Sequence, residues 1–185
     1  MIDGIRDCSF KAMLLLRFPV TVVIERVPLT NRWVSEQWRV AAVEPLPDDN
    51  VSHATERLPD QGDVVRWRCS GFAVELTRSE SEGYYLNISS PEPKAFVMYR
   101  MEQGPAHVDP ALKLQVHLVT VSYNEAARWL DGGEQVDAVA LDPSMLAWMQ
   151  PFVAEHYRPE PKRKARRNEL YERDGNIAPT RKSGP

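Results

Sequence analysis

Three arginines and two tryptophans crowd into residues 25–39, Glu-Arg-Val-Pro-Leu-Thr-Asn-Arg-Trp-Val-Ser-Glu-Gln-Trp-Arg. Arg26, Arg32 and Arg39 bring fixed positive charge, and Trp33 and Trp38 bring large flat rings with one N–H each. Both residue types combine wide contact area with hydrogen-bond donors, which is the chemistry of an interaction anchor. Two readings are open. Both rings pack on a sheet with the arginines as flanks, or the arginines and one ring form a face for a protein partner. Mutation separates them. A buried Trp33 lost to alanine costs ~3 kcal/mol of stability. An interface Arg39 lost to alanine leaves melting nearly unchanged and weakens the partner.

No other stretch groups reactive side chains. His53, His107, His117 and His156 form neither an HxxxH nor an HExxH pair, so they read as structural or solvated. The glycines make neither GxGxxG nor GxxxxGK[ST], and no GxSxG occurs. Gly132-Gly133 follows a helical pattern, at the end of the helix dipole that repels phosphate. Cys8 and Cys69 lie far apart without CxxC spacing and read as reduced thiols of a cytoplasmic protein. No catalytic residue, metal ligand or cofactor is assigned.

The second charged feature is the C-terminus. From Arg158 onward stand nine basic and four acidic residues, a net +5, against −8 for the rest of a chain whose total is −3. Lys162, Arg163 and Lys164, followed by Arg166 and Arg167, could meet an acidic protein, nucleic acid phosphates or the acidic body itself. No aromatic residue interleaves the run, which disfavours stacking on single strands and ranks nucleic acid below protein as a partner. The apolar run at residues 12–16 is too short for a signal-peptide core or a bilayer span, so no membrane role is expected.

The elements that must position these groups read mostly as strands. Residues 20–27 are β-branched and apolar, and residues 37–43 read as a second strand. Residues 45–60 are rich in Pro, Asp and Asn and read as a surface loop. Strands are expected at 63–69, 72–77, 84–88 and 95–101, with 72–77 and 84–88 joined as a hairpin. Residues 112–121 alternate, with Leu112, Leu114, Val116, Leu118 and Thr120 on one side. Ser122 and Glu125 fit a capping box opening a helix to Leu130, and Gly132-Gly133 fits its left-handed exit. Residues 136–141 read as an edge strand. Asp142-Pro143 then caps a helix with the stripe Met145, Met149, Phe152, Val153 and His156, kinked or broken near Pro151.

The expected architecture is α+β, an antiparallel sheet of roughly seven strands with two C-terminal helical segments. Residues 1–18 form a weakly ordered lead-in, with Met13 as an alternative start, 19–157 a single domain, and 158–185 a basic flexible tail.

Taken in order, several segments resemble a proteobacterial domain-of-unknown-function family often encoded in gene clusters for molybdenum-dependent formate dehydrogenase. They are Val-Ile-Glu-Arg-Val-Pro-Leu-Thr-Asn-Arg-Trp at 23–33, Trp38-Arg39, Tyr-Leu-Asn-Ile-Ser-Ser-Pro at 85–91, and Phe-Val-Met-Tyr-Arg at 96–100. Val-Ser-Tyr-Asn-Glu-Ala at 121–126 and Asp-Pro-Ser-Met-Leu-Ala-Trp at 142–148 follow, through Phe152 to the basic run at 162–166. The resemblance implies an accessory or assembly role, through binding of a dehydrogenase subunit or maturation factor. Some relatives carry the label of molybdopterin-guanine dinucleotide biosynthesis, which keeps cofactor handling as an alternative. Against it, nucleotidyltransferases of that type open on a Gly-rich loop with a Lys, and this chain offers Phe18-Pro-Val-Thr-Val-Val instead.

Overall fold

The computed structural model describes residues 16–47, 52–101 and 112–159. Strands β1 (Arg17–Pro28), β2 (Glu36–Pro45), β3 (Thr55–Gln61) and β4 (Val64–Glu75) make one antiparallel sheet in the order β2-β1-β4-β3. Strands β5 (Lys94–Met101), β6 (Leu114–Thr120) and β7 (Gln135–Ala140) make a second, in the order β6-β5-β7. Helix α1 (Ser81–Ile88) follows a 3-10 turn at Arg78–Glu80, α2 (Tyr123–Asp131) joins β6 to β7, and α3 (Pro143–His156) ends the fold. The class is α+β with seven strands, but in two sheets rather than one. No helix among the described residues is long and apolar enough to cross a membrane.

Alternation decides how the sheets meet. Val20, Val22 and Ile24 of β1, Trp38, Val40 and Val43 of β2, and Val65, Trp67 and Cys69 of β4 turn one face inward. Ala95 and Val97 of β5 and Leu114 and Val119 of β6 answer from the second sheet. Strand β7 runs against β2, and β6 against β4. Met145, Met149, Phe152 and Val153 bring the apolar stripe of α3 into the same core, as its spacing predicts. Helix α2 covers the other face of the second sheet, where Tyr123 meets Phe96 edge-on at 5.0 Å.

Four expectations change. The loop at 45–60 holds β3 at its end; this edge strand has one neighbour and only Leu58 partly buried, so it carries no hydrophobic signal. The strands at 63–69 and 72–77 are one, β4, bent at Gly71, whose φ of 100° sits where the pairing with β1 slips. The strand expected at 84–88 is helix α1. Pairing Tyr84 with Leu86 and Ile88 on a strand face would strand Asn87 outside. The helix buries Tyr84 and Asn87 together, and Asn87 donates to the carbonyls of Lys94 and Val121 and accepts from the Lys94 N–H. Finally, β6 slips register at His117, so Val116 faces the core but Leu118 turns outward, 49% exposed.

Local signals for the other helices hold in part. Ser122 Oγ accepts from the Glu125 N–H, yet the Ser122 N–H goes to Thr120 Oγ1, which in turn donates to Glu125. Asp142 caps α3 through the Ser144 N–H, with Pro143 at the first position. A single helix runs through Pro151 with no break into two. The basic tail from residue 160 onward and the lead-in before Leu16 lie outside the described residues.

Candidate functional site

The β1–β2 connection is where the sequence-derived anchors gather. Between Pro28 and Glu36 the chain turns over in a short loop closed by a bond from the Leu29 N–H to the Ser35 carbonyl. Asn31 accepts the Trp33 N–H on its side chain at 2.9 Å, an Asx turn that fixes the tip. Trp33 is left 84% exposed, with Val34 beside it also exposed. The Arg32 guanidinium lies 5.5 Å from the Trp33 ring centre, in cation–π range.

The five anchors therefore separate. Trp38 is 9% exposed and stacks on Trp67 at 5.3 Å and 23°, so this ring belongs to the core. Trp33, expected to be costly if buried, is the one that stands out in solvent. The reason is position: Trp38 falls on the inward set of β2, whereas Trp33 lies in the turn, outside any strand.

Arg39 is tied down. Its Nε and a terminal nitrogen both donate to Glu25 Oε2, at 3.0 and 2.7 Å. Arg66 of β4 brings its Nε to 3.3 Å from the other Glu25 oxygen, without hydrogen-bond alignment. Glu25 is buried on β1 between these two strands, so the Arg39–Glu25–Arg66 row braces the outer face of the first sheet. Arg39 thus has a structural contact, while about half of its side chain stays exposed.

Arg26 belongs to a second brace, which the sequence did not reveal. Glu36 opens β2 and collects Lys113 Nζ at 3.0 Å, Trp38 Nε1 at 3.1 Å and the Arg26 Nε at 3.9 Å. The hydrogen bond from Lys113, aided by that from Trp38, holds the Glu36 carboxyl below its ordinary value. Lys113 lies 77 residues away and shows no local signal. This hub ties the base of the β1–β2 loop, or finger, to the segment that leads into β6. The finger carries Arg32 without an acidic partner among the described residues, so its tip is cationic as well as aromatic.

Elsewhere the polar groups serve structure. Asp137 of β7 accepts the Val40 N–H of β2 at 2.8 Å and the Tyr99 hydroxyl at 3.2 Å. Burial first, then the Asp137 charge, push the Tyr99 hydroxyl up to about 12. Burial raises the Cys69 thiol, whose neighbour is Thr55. Among the described residues no three His, Cys, Asp or Glu side chains gather where they could hold a metal ion. Lys162, Arg163, Lys164, His107 and Cys8 lie outside the described residues.

Fold and site together define a small two-sheet α+β protein that displays an aromatic, cationic hairpin tip on a braced base. Within that class, the chain belongs to the family described as a protein of unknown function (DUF3305), whose model matches residues 19–166. No curated protein and no solved structure matches it.

Proposed function

We propose that the chain is a non-catalytic accessory protein that works by seating the Trp33 finger in a protein partner. The observation that carries this is the 84% exposure of Trp33 on a loop held by its own hydrogen bonds. An indole in water is costly to display, and a fixed loop spares the ordering entropy of binding. Arg32 adds charge that suits a pocket rimmed by carboxylates. The resemblance to proteins encoded beside molybdenum-dependent formate dehydrogenases points to a subunit of that enzyme, or one of its maturation factors, as the partner.

The test is affinity capture with the full chain as bait in formate-grown cells, read by quantitative mass spectrometry. Dehydrogenase components enriched on wild type and lost on Trp33→Ala are expected. Equal enrichment on both baits would remove the finger from the role, and no dehydrogenase component on either would remove the partner.

A further inference from the structure

Helix α1 shows a second uncovered face. Tyr84 and Asn87 point inward, whereas Glu82, Tyr85, Leu86 and Ser89 are exposed at the spacing of one helical side. The Tyr85 ring lies 4.5 Å from the Tyr157 ring at 31°, just past the end of α3. Two carboxylates lie close to this pair along the chain. Glu82 stands one turn before Tyr85 and has no ion pair among the described residues. Glu155 stands two residues before Tyr157, 74% exposed, with only the neighbouring His156 within 3.9 Å. Two tilted tyrosine rings in contact, with two nearby carboxylates that pair with no lysine or arginine among the described residues, suit a cationic segment.

We propose that this face receives the chain's own basic segment, residues 162–167 (Lys-Arg-Lys-Ala-Arg-Arg). Three features on the page single out that occupant. The chain leaves α3 at Tyr157 in extended conformation, already in contact with Tyr85. From Pro159 an extended chain reaches ~10 Å by Lys162 and ~26 Å by Arg167, which spans the ~12 Å length of an eight-residue helix. The segment carries five positive charges, and the described residues from Arg78 to Pro159 carry nine acidic and six basic. A tether this short gives an effective concentration of about 1 mM, so even an intrinsic affinity of about 1 mM keeps roughly half the molecules docked. Cations stack on Tyr85 and pair with Glu82 and Glu155. This site is separate from the Trp33 finger and does not rest on the partner proposed for it.

The experiment uses the full chain. A carbodiimide couples a lysine amine to a carboxylate in contact, and peptide mapping of monomeric product is expected to join Lys162 or Lys164 to Glu82 or Glu155. Trypsin cutting within residues 162–167 is expected to speed up by about twofold in the double variant Glu82→Gln with Glu155→Gln, as the docked half is released. Wild type should reach the same rate at about 1 M salt, where screening shortens to ~3 Å. Both substitutions lie on exposed positions, and an unchanged melting curve checks that the fold is intact. Equal cutting rates in wild type and variant overturn the proposal. So do coupling products that join only two separate molecules, or that spare both glutamates.

Discussion

Asp137 on β7 accepts the main-chain N–H of Val40 on β2, and so one carboxylate from the second sheet satisfies a backbone donor of the first. Val40 is buried, and leaving its N–H without a partner costs the full desolvation of the group. Asp137→Ala should therefore destabilise by about 1–3 kcal/mol, read as a lower urea midpoint at unchanged slope. Tyr99→Phe, which removes only a donor to the same carboxylate, should cost less. If Asp137→Ala melts like wild type, the junction of the sheets does not depend on this bond.

The two tryptophans should behave oppositely. Trp38→Ala opens a cavity beside Trp67 and should cost about 3–5 kcal/mol. Trp33→Ala should change stability by less than about 0.5 kcal/mol while abolishing partner capture. Arg39→Ala should fall between them, at about 1 kcal/mol, because the buried Glu25 keeps only Arg66. Chemical denaturation of the three purified variants orders them, and equal losses for the two tryptophans would contradict the split.

Glycine 83 is a test of helix α1. A Cβ there would run into Ser122 Oγ, the very atom that caps α2. Gly83→Ala should destabilise by about 1–3 kcal/mol through overpacking, despite alanine's better helix propensity. Gly133→Ala, which meets no atom but sits at φ 83°, reports backbone strain instead. Thermal melts that rank Gly83→Ala above wild type would mean that the α1–α2 contact is looser than described.

Acid should weaken the Glu36 hub at the base of the finger. The Glu36 carboxyl sits below its ordinary 4.5, so its bonds to Lys113 and Trp38 add stability above that value. That contribution is lost as pH falls through the lower folded-state value. Melting temperatures of wild type and Glu36→Gln should differ near neutrality and converge in acid. A gap that stays constant with pH would show that the hub is not ionic.

Alkali offers a separate probe. The Tyr99 hydroxyl titrates at about 12 in the fold against 10 for a free phenol. Its share of stability is thus whole below 10 and drains away between the two values. Burial also raises the Tyr84 hydroxyl, so ultraviolet titration of tyrosinate should show late phenols from both residues, and the Tyr99 share of that phase should vanish in Tyr99→Phe.

What could be read from the chain follows how local the cause is. The caps at Ser122 and Asp142 and the stripe of α3 depend on neighbours a few residues away, and their spacing declared them. Helix α1 did not declare itself, because Tyr84, Tyr85 and Ile88 favour strands, and Asn87 finds its partners at Lys94 and Val121. The outward turn of Leu118 comes from one extra residue in β6, which no alternation count detects. At the finger, composition picked out fifteen residues, and the structure divides them between core, brace and exposed tip. Which ring is buried depended on the register of β2 against β1, and Lys113 arrives from the segment just before β6.

Every strand of the first sheet lies within residues 17–75, yet the side chains that cover its inner face come from residues 84–153. During synthesis the hydrogen-bonded ladder can be complete while Ile24, Trp38 and Trp67 still look out on water. Until residues 84–153 have been made, that apolar face lacks its covering layer from the same chain, and it is the surface a ribosome-bound chaperone would meet.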